Sequence, residues 1–113
     1  MLIKKGEIFL VDLSPTRGSE QSGHRPVLVV QNDVGNEFSP TTIIVPLTTK
    51  NYSKEYPTNV QLQRGTAGLK EDSTVLCSQI RTIDKSRLGK KLGTLPPTYL
   101  EKVNLAMKVS LEL

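Results

Sequence analysis

The chain reads as a series of short apolar runs separated by turn chemistry, with one helical stripe near its end. Residues 7–13 mix β-branched and aromatic side chains and stop at Ser14-Pro15, which predicts a strand with a breaker behind it. Residues 25–31 hold the unbroken run Val27-Leu28-Val29-Val30, the pattern of a buried strand. Residues 41–47 are β-branched, and Pro46 near their end implies an edge, a bulge or a strand terminus. Residues 58–63 alternate as a short strand. Residues 73–83 predict one long strand, with Val75, Cys77, Gln79 and Arg81 on one face. Residues 87–92 predict a further short one.

Between these runs, Asn32-Asp33-Val34-Gly35-Asn36 and Gly65-Thr66-Ala67-Gly68 are turn chemistry. Residues 16–24, with Gly18 and Gly23, and residues 48–57 are polar loops. The one helix expected is C-terminal. Pro97 suits a first-turn position, and Leu100, Val103, Met107 and Leu111 then recur at helical spacing. Short strands followed by one helix predict a mainly β fold with a C-terminal helix, a small barrel or strongly curved sheet. With no repeat or linker, residues 1–113 form a single domain.

Composition narrows the picture only a little. The net charge of +4 favours a polyanionic partner as readily as it favours plain solubility. With three tyrosines, two phenylalanines and no tryptophan, a broad base-stacking platform is not expected. The longest apolar runs are far too short to span a bilayer. Lys4 and Lys5 are followed by Glu7 and Asp12 rather than by a signal-peptide core, so a cytoplasmic setting is expected.

Most familiar chemistry is absent. His24 is the only histidine, which excludes a two-histidine acid/base mechanism. Cys77 sits in the apolar alternation of a strand and reads as a small buried hydrophobe. No Cys/His spacing suits zinc, no nucleophile elbow surrounds a serine, and the glycines form neither a phosphate loop nor a dinucleotide fingerprint. The pair Glu71-Asp72 lies beside turn residues and is expected to face solvent. No metal or cofactor is expected.

What remains is polar residues gathered where loops meet strands, in three ordered blocks. The first runs from Asp12-Leu13-Ser14-Pro15-Thr16-Arg17-Gly18-Ser19-Glu20-Gln21 into Gly23-His24-Arg25-Pro26, an apolar strand and Gln31-Asn32. The second is Pro46-Leu47-Thr48-Thr49 and the third Gln79-Ile80-Arg81-Thr82-Ile83-Asp84. In order and spacing these blocks resemble the MazF/PemK toxins, most closely those of Gram-positive bacteria, over nearly the whole chain. The resemblance implies an SH3-like barrel with a C-terminal helix, assembled as a homodimer that cuts single-stranded RNA. It further implies a MazE-like antitoxin that blocks the same groove, and no membrane partner. Carried over by position, it assigns catalysis to Arg25 and Thr48. Contact with RNA falls to Thr16, Arg17, Ser19, Glu20, Asn32 and Gln79, with the loop between the first two strands acting as a gate.

Elementary chemistry is compatible with that assignment. Attack of a ribose 2′-OH on the adjacent phosphorus needs no metal, but the transition state gathers negative charge on the non-bridging oxygens. A guanidinium donates two parallel hydrogen bonds and stays protonated, and a threonine hydroxyl adds a third donor. Arginine is a poor general base, so the proton's path is open, with His24 or Glu20 as candidate shuttles. Two other readings are a gyrase-poisoning toxin of the same fold, similar to CcdB, and a plain RNA- or peptide-binding barrel. The CcdB type acts through a C-terminal helix that typically carries a tryptophan, and this chain has none.

Overall fold

Three strands, β1 (Glu7–Asp12), β2 (His24–Val29) and β3 (Thr41–Thr48), form an antiparallel meander whose central part is buried on both faces. The computed structural model describes residues 2–20, 23–50 and 56–113; the loop readings that fall on Gln21, Ser22 and residues 51–55 lie outside the described residues. Burial on both faces explains the continuous run in β2. Leu28 points into one core with Ile8, Val45 and Leu47, while Val27 and Val29 point into a second with Phe9, Val11 and Ile44. Ile3, ahead of the first strand, is buried in that second core as well.

β3 is the hub of the sheet. On its free side it pairs first with β6 (Arg81–Asp84) through Thr41–Ile44, then with β5 (Ser73–Leu76) through Leu47 and Thr48. The single strand expected over residues 73–83 is therefore two strands, separated by a turn at Cys77 and Ser78. The change of partner falls at Val45-Pro46, where proline brings no N–H to a ladder. β4 (Asn59–Leu62) pairs β5, and β7 (Lys91–Thr94) pairs β1, so the path runs β4-β5-β3-β2-β1-β7 with β6 beside β3.

Among the described residues no ladder joins β4 to β7, and the sheet is a partly open barrel. The tight turn at Thr66–Gly68 closes the gap by resting on the β7 backbone. A Cβ on Gly68, whose φ is +78°, would overlap the carbonyl oxygen of Leu92, so this approach demands glycine. Across the other opening lies α2 (Pro97–Leu111), which begins with Pro97 as expected and buries Val103 and Ala106 in the first core. Leu100 and Met107 pack partly against it, but Leu111 is exposed, because the helix outruns the core it covers.

Two further expectations are corrected. The turn at residues 32–36 is the start of a short helix, α1 (Asp33–Phe38). Its turn-like residues are its cap and its pin: Asn32 Oδ1 accepts from Gly35 N at 2.8 Å, and buried Asn36 accepts from Thr42 Oγ1. The strand expected at residues 87–92 starts later, at Lys91. Asp84 accepts from Ser86 N and winds residues 85–87 into a single tight turn first. No helix among the described residues is long and apolar enough to cross a membrane.

Candidate active site

The ladder between β2 and β3 pairs Leu28 with Val45 and Val27 with Pro46. Carried two residues further, that register sets Arg25 opposite Thr48, on the face that holds the second core, just past the point where the core ends. Each side chain is half-buried. Arg25 Nη1 donates to the Leu47 carbonyl at 3.2 Å, which fixes the guanidinium against the β3 backbone. Thr48 Oγ1 accepts from Lys50 N at 3.2 Å. A hydroxyl oriented by accepting a backbone N–H still has its own proton to donate. Both residues line one groove of about 280 Å³, shared with His24, Pro26, Glu71 and Ser73.

The neighbouring hollow along the same face of β3 is lined by Pro46, Gln79, Arg81 and Glu20. Gln79 reaches it because the strand break after Leu76 leaves the residue in a turn, its N–H bonded to the Leu76 carbonyl at 3.1 Å. The loop after β1 leaves and returns beside these hollows. Its base is held at Leu13, whose carbonyl accepts from Arg81 Nη1 at 2.8 Å and whose N–H donates to Gly23. Arg87 Nη2 clasps the carbonyls of Asp12 and Ser14. Inside the loop, Glu20 Oε1 accepts from Arg17 N at 2.8 Å and Glu20 N donates back to the Arg17 carbonyl. Arg17, Ser19 and Glu20 are exposed and Thr16 is half-buried.

His24 projects into solvent, its side chain 84% exposed, with Nε2 at 3.8 Å from Asp12 Oδ2. The Ser14 backbone N–H holds the Asp12 carboxyl below the usual carboxylate range, with smaller contributions from the Ser14 side chain, His24 and Arg87. Burial pushes the Cys77 thiol up to about 12, which keeps it a neutral packing group.

Of the residues singled out from the sequence, His24, Arg25 and Thr48 share one groove, and Glu20 and Gln79 share the next. Thr16, Arg17 and Ser19 sit on the adjoining loop. Asn32 stands apart, beyond the opposite end of β2 from Arg25, where its side chain caps α1. Two groove residues escaped the sequence reading. Glu71 is exposed, as expected, yet it lines the groove beside Arg25, and so does Ser73. The pairing of Thr48 with Thr74 brings them there, and no local pattern signals such a long-range contact. Among the described residues, no three His, Cys, Asp or Glu side chains gather as a metal-holding group.

Residues 4–111 match the family model described as PemK-like, MazF-like toxin of type II toxin–antitoxin system. The chain is 46% identical to endoribonuclease EndoA of Bacillus subtilis (strain 168) over 113 residues, covering all of this chain and 97% of that one. It is 43% identical to endoribonuclease MazF of Staphylococcus saprophyticus over 112 residues, covering 99% and 93% of the two chains. Among solved structures, an endoribonuclease in complex with its cognate antitoxin from a mycobacterial species superposes with a TM-score of 0.83. The identity there is 28%, over 98% of this chain and 96% of that one.

Proposed function

The chain belongs to the PemK-like, MazF-like toxin family and is a toxin endoribonuclease of a type II toxin–antitoxin system, and from that premise we propose how it cuts RNA. The substrate is single-stranded RNA, cut at a specific sequence in the cytoplasm without a metal ion. The 2′-OH attacks the adjacent phosphorus, the bond to the 5′-oxygen breaks, and the products carry a 2′,3′-cyclic phosphate and a 5′-OH. The observation that carries this reading is the Arg25–Thr48 pair across the β2–β3 ladder. A guanidinium anchored on a backbone carbonyl and a hydroxyl oriented by a backbone N–H face one groove. Donors fixed before the reaction stabilise developing phosphorane charge without reorganising, often the largest single catalytic contribution.

Thr16, Arg17, Ser19, Glu20 and Gln79 contact the RNA on either side, and the loop they largely occupy opens and closes over the strand. The proton is carried by His24, which lines the groove, or by Glu20, which lines the next hollow. A MazE-like antitoxin occupies the groove in the inhibited state, in keeping with the mycobacterial toxin–antitoxin complex. The working unit is a homodimer. Its support here is the outer face of α2, where Leu105 and Val109 lie exposed beside Tyr56 along one groove. The gyrase-poison alternative is set aside, since both curated relatives are endoribonucleases by name.

The deciding experiment incubates purified protein with a mixed single-stranded RNA pool in the presence of chelator and maps the fragment ends. Recurrent cuts with 5′-OH and cyclic-phosphate ends are expected. Intact RNA, or 5′-phosphate ends, would overturn the chemistry.

A further inference from the structure

The chain leaves β1 through three consecutive carbonyls, and each of them accepts a guanidinium proton. Arg87 Nη2 donates to Asp12 at 2.5 Å and to Ser14 at 3.4 Å, and Arg81 Nη1 donates to Leu13 at 2.8 Å. Both arginines come from a distant stretch of sequence, the start of β6 and the end of the tight turn at residues 85–87. The second core brings them there. Leu13 is buried in it together with Ile83 and Leu88, which draws the β6 segment against the foot of the loop.

Carbonyls past the end of a ladder are satisfied by water unless a side chain reaches them, and water fixes no direction. A guanidinium does, because its donors lie in one plane and a charged donor makes the stronger bond. Beyond the rung from Leu13 N to the Gly23 carbonyl, at 3.1 Å, the loop has ties of its own, among them the two bonds between Arg17 and Glu20. The two arginines therefore set the angle at which this unit joins the barrel. Arg81 also lines the hollow that holds Glu20 and Gln79. Arg87 lines neither that hollow nor the groove of Arg25 and Thr48. Its bonds end on the backbone of Asp12 and Ser14, so its route to bound RNA runs through the loop.

We propose that Arg81 and Arg87 clamp the foot of the β1–β2 loop, and that Arg87 is a positioning residue that holds the loop ready for RNA. This role rests on the reading of Thr16, Arg17, Ser19 and Glu20 as RNA contacts. With the clamp in place the loop is ordered before RNA arrives, and binding does not carry the cost of ordering it. Without the clamp, a fraction of the molecules hold the loop in the binding geometry, and apparent affinity falls by that fraction. Arg25 and Thr48 are fixed on β2 and β3, so the rate at saturating RNA stays as it was.

The test measures kcat and KM on a single-stranded RNA carrying one cut site mapped in the mixed pool. It compares wild type with Arg87→Met, Arg87→Gln and Arg87→Lys, and uses Arg17→Ala as the control for the loop. Arg87 is half-buried, and a thermal melt checks the fold of each variant, with Arg87→Gln carrying the test should Arg87→Met not fold. Methionine has no donor, and the glutamine amide stops two bonds short of the carbonyls. Each should raise KM about tenfold and leave kcat within about twofold of the wild type. Lysine keeps the charge and most of the reach, and should bring KM back to within about threefold. Hydrogen exchange at the Leu13 N–H should quicken in Arg87→Met and Arg87→Gln while the amides of β3 keep their protection. Wild-type KM in both of those variants would overturn the clamp, and so would a fall in kcat alone or a lysine variant no better than methionine. Wild-type KM in Arg17→Ala would instead bring down the reading of the loop on which the clamp rests.

Discussion

Arg25 is fastened to the main chain of β3, its Nη1 donating to the carbonyl of Leu47, the residue that immediately precedes Thr48. The two groups proposed to meet the phosphate are thus set by one strand. Arg25 is tied to its backbone, and the Thr48 hydroxyl accepts from the N–H of Lys50 just beyond it. Removing either should damage the chemistry far more than the fold.

Arg25→Ala should lower the cleavage rate by at least about a hundredfold, the usual consequence of losing one charge-stabilising donor. Arg25→Lys should be nearly as impaired, because an ammonium cannot reach the Leu47 carbonyl and fork the phosphate together. Single-turnover cleavage and a thermal melt on each variant check this. Wild-type rates in Arg25→Ala would remove Arg25 from the mechanism.

Thr48→Val keeps the branched shape and deletes the hydroxyl, so a loss of about tenfold to a hundredfold is expected, with Thr48→Ser restoring most of it. A double-mutant cycle with Arg25→Ala should be non-additive, since both groups address the same oxygens. Strict additivity would place the two donors on different steps.

Much of this was legible from the residues. The first four strands and the start of α2 fall within about two residues of their expected bounds. The break between β5 and β6 was not, because alternation runs on through Cys77, Gln79 and Arg81 while the strand changes neighbours. Nor was α1, since Asn32 and Asn36 favour turns and caps alike, and only tertiary contacts decide between them. In the candidate site, Arg25, Thr48 and Gln79 were named from ordered motifs. Glu71 and Ser73 join them only through the pairing of β3 with β5.

Gly68→Ala is expected to destabilise the protein by about 2 kcal/mol or more. It forces both a positive φ on alanine and an overlap with the Leu92 carbonyl. Urea denaturation measures it. A midpoint equal to the wild type would mean that the Thr66–Gly68 turn does not rest on β7.

Acid should weaken the fold through three carboxylates. Asp12, Asp33 and Asp84 are each held below the usual range, by the backbone N–H of Ser14, the backbone N–H of Lys5 and the side chain and N–H of Ser86 respectively. Their folded pKa lies under the unfolded value of about 3.9, so the unfolded chain binds more protons in between. Their contribution is complete above that value and is lost as pH falls through the folded pKa. The melting temperature should drop below about pH 4, and Asp84→Asn should flatten the drop. An identical pH profile in Asp84→Asn would count against its share.

Light scattering should return twice the mass of one chain for the wild type. The doubly substituted Leu105→Glu, Val109→Glu protein should sediment as a monomer with its far-ultraviolet spectrum unchanged, because both side chains are exposed on α2. A dimer that survives both charges would move the interface elsewhere.

The alternation along β3 carries a liability of its own. Adding or deleting one residue between Thr42 and Pro46, with the start of the strand kept on β6, would turn Leu47 into the groove and the Thr48 hydroxyl into the hydrophobic interior, and β5 would lose its mates. In a library of single-codon insertions and deletions, this stretch should tolerate none, even where point changes at the same positions survive. The length of the strand is as strictly specified as the identity of any side chain upon it.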